Sequence, residues 1–166
     1  MKNVLVIGGT GLIGKEVISK LATSGIDIYL VTRNLGKAPA YTIPIRADIA
    51  SFDWAQSCSK MISQVDAIIY MAYSTSSDAA YDRRVNFEGL KEIVSAVKTE
   101  RLIFLSTIGV FGSSSKDGEY TENSPKIIDS IYVKDKIDAE NFLAGCNSIP
   151  RRTVLYISNA YELGSS

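Results

Sequence analysis

Val4-Leu5-Val6-Ile7-Gly8-Gly9-Thr10-Gly11-Leu12-Ile13-Gly14 decides how the chain is read. Four apolar residues in an unbroken run suit a strand buried on both faces, since alternation is needed only where one face meets water. Glycines end the run. Leu12, Ile13, Val17, Ile18 and Leu21 then recur at the spacing of one helical face as far as Ala22, and Gly25 closes the helix. Gly9, Gly11 and Gly14 satisfy G-x-G-x-x-G, and Gly8, Gly11 and Gly14 satisfy G-x-x-G-x-x-G. Glycine serves three needs in such a turn: a tight bend, close approach of the backbone to a pyrophosphate, and close packing of helix on strand. The free N–H groups and partial positive charge of the helix N-terminus then favour phosphate. At the first turn of a βαβ unit, the motif points to dinucleotide binding.

The same alternation continues outward from this turn. Strands are expected over residues 28–31, 41–47, 67–71, 102–105 and 153–157, with Pro44 marking the 41–47 strand as an edge or an irregular start. Helices are expected over residues 54–63, 79–98 and 131–143; in the second, Val85, Leu90, Ile93, Val94 and Val97 form the inner face. The polar, Gly/Ser-rich residues 112–124 read as a loop or lid. Strand–helix alternation of this kind predicts one α/β domain over 1–166, a doubly wound parallel (Rossmann) sheet with helices on both faces in three layers.

Composition narrows the chemistry. The 166 residues are 46% hydrophobic and 22% charged, enough for a substantial core, and the formal net charge is zero. No basic surplus offers itself to nucleic acid or anionic lipid. The chain has no His, which removes Ser-His-Asp and Cys-His nucleophiles, His-ligated metal sites and His-based pH switches. Cys58 and Cys146 form no metal-ligand spacing, and no apolar run approaches the ~18 residues of a membrane span. A reduced, cytoplasmic chain with no metal, no nucleic acid and no membrane partner is expected.

The exit of the second strand bears on which dinucleotide is bound. Asp27 lies at the wrong end of that strand to reach a ribose, and the exit reads Thr32-Arg33-Asn34. A missing carboxylate removes repulsion against a 2′-phosphate, and Arg33 can pair with one, so NADP is favoured over NAD. Asp48, after the third strand, can accept from an adenine amino group.

Tyr132-Val133-Lys134-Asp135-Lys136 is Y-x-x-x-K at the start of a helix, which puts phenol and ammonium on one face. With the upstream Ser106-Thr107-Ile108-Gly109-Val110-Phe111-Gly112, the chain resembles the extended short-chain dehydrogenase/reductase family, the NAD-dependent epimerases, dehydratases and related reductases of nucleotide sugars. The resemblance runs in order through GGTGLIG at 8–14, RADI at 46–49, DAIIYMAY at 66–73, VNFEGL at 85–90, LIFLSTIGVFG at 102–112, YVKDK at 132–136 and ISNAYELG at 157–164.

That resemblance implies roles. Tyr132 is the general acid/base, Lys136 holds the nicotinamide ribose and lowers the phenol's pKa, and Thr107 orients the substrate oxygen. The cofactor is implied to run along Gly8, Gly11, Leu12, Ile13, Gly14, Arg33, Asp48, Ile49, Met71, Ala72, Tyr73, Tyr132 and Lys136, with Asn86 supporting the backbone there. An unperturbed phenol titrates near pH ~10; a neighbouring ammonium and an oxidised nicotinamide both favour phenolate. The implied reaction is hydride transfer by an oxidoreductase or epimerase on a nucleotide sugar or a similar hydroxyl or carbonyl compound. A homodimer through the 79–98 and 131–143 helices is implied as well.

Departures qualify this. Ile108 and Gly109 stand where dehydratases carry acidic residues, which argues against dehydration. Asp135 replaces a small Ser, and near Lys136 it would compete for the ammonium unless it faces solvent. Tyr156, Ile157 and Glu162 replace Arg, Pro and Gly of the family's R-P-x-N-V-Y-G. Relatives continue into a C-terminal substrate lobe, whereas this chain stops at Ser166, so a cofactor domain truncated after its sixth strand is expected. The alternative is a non-catalytic NAD(P)-binding module or an inactive fragment.

Overall fold

A computed structural model describes residues 1–112 and 120–158. Six strands form one sheet: β1 (Asn3–Ile7), β2 (Asp27–Thr32), β3 (Ile43–Arg46), β5 (Ala67–Tyr70), β7 (Arg101–Thr107) and β8 (Arg151–Ile157). Their order is β3-β2-β1-β5-β7-β8, and every neighbouring pair is parallel. The order reverses at β1, which pairs with β2 through Val4↔Ile28 and with β5 through Val4↔Ala67. A crevice therefore opens beyond the carboxyl ends of β1 and β5, the topological switch point where open α/β sheets bind ligands.

The apolar run at 4–7 is buried on both faces, as a central parallel strand requires. Val4 and Val6 join Ile18 of α1 (Leu12–Thr23), Ile28, Leu30 and Ile69 on one face. Leu5 and Ile7 face a larger core with Trp54, Tyr70, Leu90, Ile93, Phe104 and Leu143. That second core is supplied by α2 (Trp54–Met61), α4 (Gly89–Ala96) and α5 (Ile131–Gly145), so helices lie on both faces of the sheet. β3 is an edge strand, where the missing N–H of Pro44 breaks no second ladder. β8 forms the other edge and is exposed for much of its length.

Several boundaries differ from the sequence expectation. β3 starts at Ile43 rather than 41, while β7 and β8 begin earlier, because Arg101 pairs with Arg151 by backbone bonds that hydropathy does not register. The helix expected over 79–98 is broken into α3 (Ala79–Arg83), a π-helical turn (Arg84–Glu88) and α4, and Lys98 leaves it to join Thr99. They form β6 (Lys98–Thr99), which pairs with β4 (Gln64–Val65) in a two-stranded parallel ladder. The cause of the π turn is local. The Tyr70 hydroxyl donates to the carbonyl of Val85 at 2.7 Å and draws it from the α-helical ladder. Of the loop expected over 112–124 and the strand exit at 156–162, residues 113–119 and 159–162 lie outside the described residues.

Candidate functional site

Two glycines of the opening turn are explained by the protein's own packing. Gly8 has φ +86°, and a Cβ there would stand 2.5 Å from the amide nitrogen of Ala72; a Cβ at Gly14 would stand 2.5 Å from Gly9 Cα. Gly11 is different. Its Cβ would meet only the Gly8 carbonyl oxygen, at 3.6 Å, and its φ of −78° is open to any residue. Gly11 caps α1 with no side-chain hydrogen bond, and the first turn carries no acidic residue. Among the described residues, the first-turn N–H groups of α1 therefore have no side-chain acceptor, and Gly11, Leu12, Ile13 and Gly14 line the crevice.

The crevice is a cavity of about 730 Å³. Its wall brings together Gly8, Gly11, Leu12, Ile13, Gly14, Arg33, Asp48, Ile49, Met71, Ala72, Tyr73, Thr107, Tyr132 and Lys136 from six separate stretches of chain. Asn86 is not among the lining residues. It is fully buried in the π turn, where its Oδ1 accepts from the Ser74 amide and its Nδ2 donates to the Ser74 carbonyl, both at 2.8 Å. Ser74 does line the cavity, so Asn86 fixes the wall from behind. Asp27 sits opposite Asn3 at the start of β2, far down the strand from the crevice. At the crevice end, Arg33 donates from Nη1 to the Tyr81 hydroxyl at 2.8 Å, and Asp48 accepts from the Ala50 amide at 3.0 Å.

At the other end of the cavity stand Thr107, Tyr132 and Lys136. Ser130 caps α5 by accepting from the Val133 amide, which sets the phenol and the ammonium on the first two turns. Lys136 is almost completely buried; its Nζ donates to the Leu105 carbonyl at 2.9 Å and lies 4.7 Å from the Phe104 ring centroid and 5.7 Å from that of Tyr132. Burial draws its pKa down to about 8, against the opposing pull of Glu140 and Asp135. Thr107 Oγ1 accepts from the Gly109 amide at 3.1 Å, which leaves the hydroxyl proton available to a ligand oxygen.

One expectation is corrected. The phenol of Tyr132 has its pKa raised rather than lowered, by burial first and by Tyr73 second. Lys136 lies over the Tyr132 ring and directs a proton to Leu105, so its charge does not offset the desolvation of the phenol. Tyr73, two-thirds exposed in the cavity mouth, meets the Tyr132 ring edge-on at 6.5 Å.

The structure also shows residues that motif reading passed over. Glu140, buried one turn beyond Lys136, accepts from the Ser106 hydroxyl, from Lys126 and, at 2.9 Å, from the Tyr156 hydroxyl. This bond and burial push the Tyr156 pKa up to about 12, burial being the larger cause. The positions 132, 136 and 140 share one helical face, and that period was the available signal for Glu140. Asp135 does not face solvent. It is buried and does not line the cavity; Arg83 Nη1 reaches its Oδ1 at 2.7 Å, and among the described residues its Oδ2 has no hydrogen-bond partner. Among the described residues, no helix is long and apolar enough to cross a membrane.

Comparison with known proteins bears on the fold and the family. The chain is 29% identical over 163 residues to dTDP-D-glucose 4,6-dehydratase of Mus musculus, covering 86% of this chain and 45% of that protein. The fold matches UDP-glucose 4-epimerase of Thermotoga maritima, solved with UDP-glucose, at a TM-score of 0.85 and 22% identity over 96% of this chain and 56% of that one. It also matches UDP-glucose 4-epimerase of Thermus thermophilus, solved with NAD, at a TM-score of 0.76 and 23% identity over 86% and 50% of the two chains. The chain thus spans about half the length of the proteins it resembles. A family profile matches residues 4–152, and the chain belongs to the NAD dependent epimerase/dehydratase family.

Proposed function

We propose that this chain binds NAD(P), with NADP preferred, and acts as an oxidoreductase or epimerase on a nucleotide sugar or a related hydroxyl or carbonyl compound. One observation carries the reading: a single cavity joins an unobstructed glycine turn to Thr107, Tyr132 and Lys136. The residues present fit a dinucleotide. Gly11 needs no glycine for the protein's own packing, and a side chain there would project where a pyrophosphate approaches the α1 amides. Arg33 and Asp48 would hold the adenosine end, and Lys136 the nicotinamide ribose. A bound nicotinamide would supply the hydride acceptor or donor for the substrate, and in its oxidised form a positive charge that would favour phenolate.

The chain's own residues handle the proton. Tyr132 Oη gives it to or takes it from the substrate oxygen. Burial keeps that phenol protonated in the free protein, poised as an acid. Lys136 retains two donor N–H groups beyond the one held by Leu105, enough for two ribose hydroxyls. Thr107 donates to the same substrate oxygen. Ile108 and Gly109, in the 3₁₀ turn that follows, carry no ionisable group, which favours epimerase or simple oxidoreductase chemistry over dehydration. Helices α4 and α5 pack one face each on the same side of the sheet, and a homodimer through their outer faces would sediment at twice the 18.1 kDa chain mass.

The test is turnover on a panel of UDP- and dTDP-sugars with NADP and with NAD, comparing wild type with Tyr132→Phe. The variant is expected to lose roughly 10²–10⁴-fold in kcat, the range for a positioned acid/base, with cofactor affinity little changed. Unchanged turnover in the variant contradicts the mechanism. Cofactor binding with no turnover on any substrate class contradicts the catalytic half of the reading and leaves a binding module.

A further inference from the structure

Arg33 and Tyr81 face one another across the adenosine end of the cavity. Arg33 is exposed on the turn after β2, whereas Tyr81 is half-buried on the first turn of α3. The start of α3 is firmly built. The Asp78 side chain accepts from the amides of Ala80 and Tyr81, both at 3.0 Å, and buried Asp82 accepts from the Ser76 amide at 2.8 Å. The Tyr81 ring packs on the edge of the larger core. Its hydroxyl is therefore a fixed point, and the guanidinium of an otherwise mobile side chain is anchored to it at 2.8 Å.

The chemistry of that anchor matters. Among the described residues, Arg33 has no carboxylate within 4.0 Å, although Arg83 and Arg84 are both paired with acids. A carboxylate in place of Tyr81 would also hold the guanidinium, but it would cancel the charge and repel a phosphate. A phenol fixes the group and leaves its charge whole. Only one of the five guanidinium N–H donors is engaged by it, so a planar fork remains for an anion. Asp48, the acidic residue on this part of the wall, already accepts from the Ala50 amide.

We propose that Tyr81 is a positioning residue for cofactor choice, holding the Arg33 guanidinium, uncancelled, where the 2′-phosphate of a phosphorylated dinucleotide binds. This rests on the reading that the cavity takes the adenosine half of NAD(P). It assigns to α3, an element with no part in the glycine turn, a share in separating NADP from NAD.

The test isolates the phosphate. Calorimetric titration with adenosine 2′,5′-bisphosphate and with 5′-ADP gives a ratio of affinities for wild type, Arg33→Ala and Tyr81→Phe. Wild type is expected to prefer the 2′,5′-bisphosphate by about tenfold or more, the size of one charge-assisted contact. Arg33→Ala brings the ratio to about one, and Tyr81→Phe, which keeps the ring, lowers it roughly three- to tenfold while 5′-ADP binds within about twofold of wild type. A merely structural role would weaken both ligands together. A wild-type preference that survives in Tyr81→Phe overturns the proposal alone. A wild-type ratio near one overturns it while leaving dinucleotide binding in place. If wild type binds neither ligand, the proposal falls with the reading beneath it.

Discussion

Lys136 carries its charge into a site that disfavours charge. Its pKa of about 8, against an ordinary 10.5, means the folded chain binds fewer protons than the unfolded chain between those values. Stability then rises with pH across this window, and the penalty for burying the ammonium is fully present below about pH 8. Lys136→Met is accordingly expected to be more stable than wild type at pH 7 by roughly 1–3 kcal/mol, the lost Leu105 hydrogen bond offsetting part of the gain. Denaturation between pH 7 and 10 should show that difference shrinking; a constant or inverted difference would contradict the buried ammonium. At this scale the sequence was legible wherever a motif fixed a position. Tyr132 and Lys136 were found by spacing, and the cavity receives both. The raised pKa of Tyr132 was not legible, because it depends on burial and on Tyr73, a residue 59 positions away in sequence whose ring arrives only through the fold. Nor was the pairing of Asp135 with Arg83, which spans two helices.

The π turn between α3 and α4 is the element on which the cavity wall leans. Tyr70 draws the Val85 carbonyl out of the ladder, and the widened turn places Asn86 inside, where it holds both backbone groups of Ser74. Asn86→Ala leaves a donor and an acceptor without partners, and is expected to cost about 1–3 kcal/mol in chemical denaturation while weakening cofactor binding through the loosened wall. Wild-type stability in that variant would contradict the clamp. Of the inner face that periodicity gives this helix, Val85, Leu90, Ile93 and Val97 are buried and Val94 is half-buried against the same core, although Val97 lies just beyond α4. Periodicity could not anticipate the break, because apolar spacing does not encode a hydroxyl reaching in from a neighbouring strand. The expectation that the helix runs on through Lys98 has a similar cause: a two-residue ladder has too little pattern to compete with a continuing helical period.

For the whole molecule, the strand–helix alternation is sufficient to give a parallel sheet with helices on both faces, while the switch point at β1 is visible only in the strand order of the assembled sheet. Edge status was legible at β3 through Pro44; at β8 it became visible only in the exposure of the assembled strand. The account as a whole depends on the opening turn being a pyrophosphate cradle rather than only a tight bend, and Gly11 separates the two. Packing requires glycine at 8 and 14 but leaves room for a methyl at 11. The decisive measurement is calorimetric titration of NADPH and NADH into wild type and Gly11→Ala, with melting temperatures recorded alongside. The account predicts a wild-type Kd of about micromolar order and at least a roughly tenfold loss in Gly11→Ala, with the melting temperature unchanged in the absence of cofactor. Binding of the variant as tight as wild type, or no binding of either nucleotide to wild type, would contradict it.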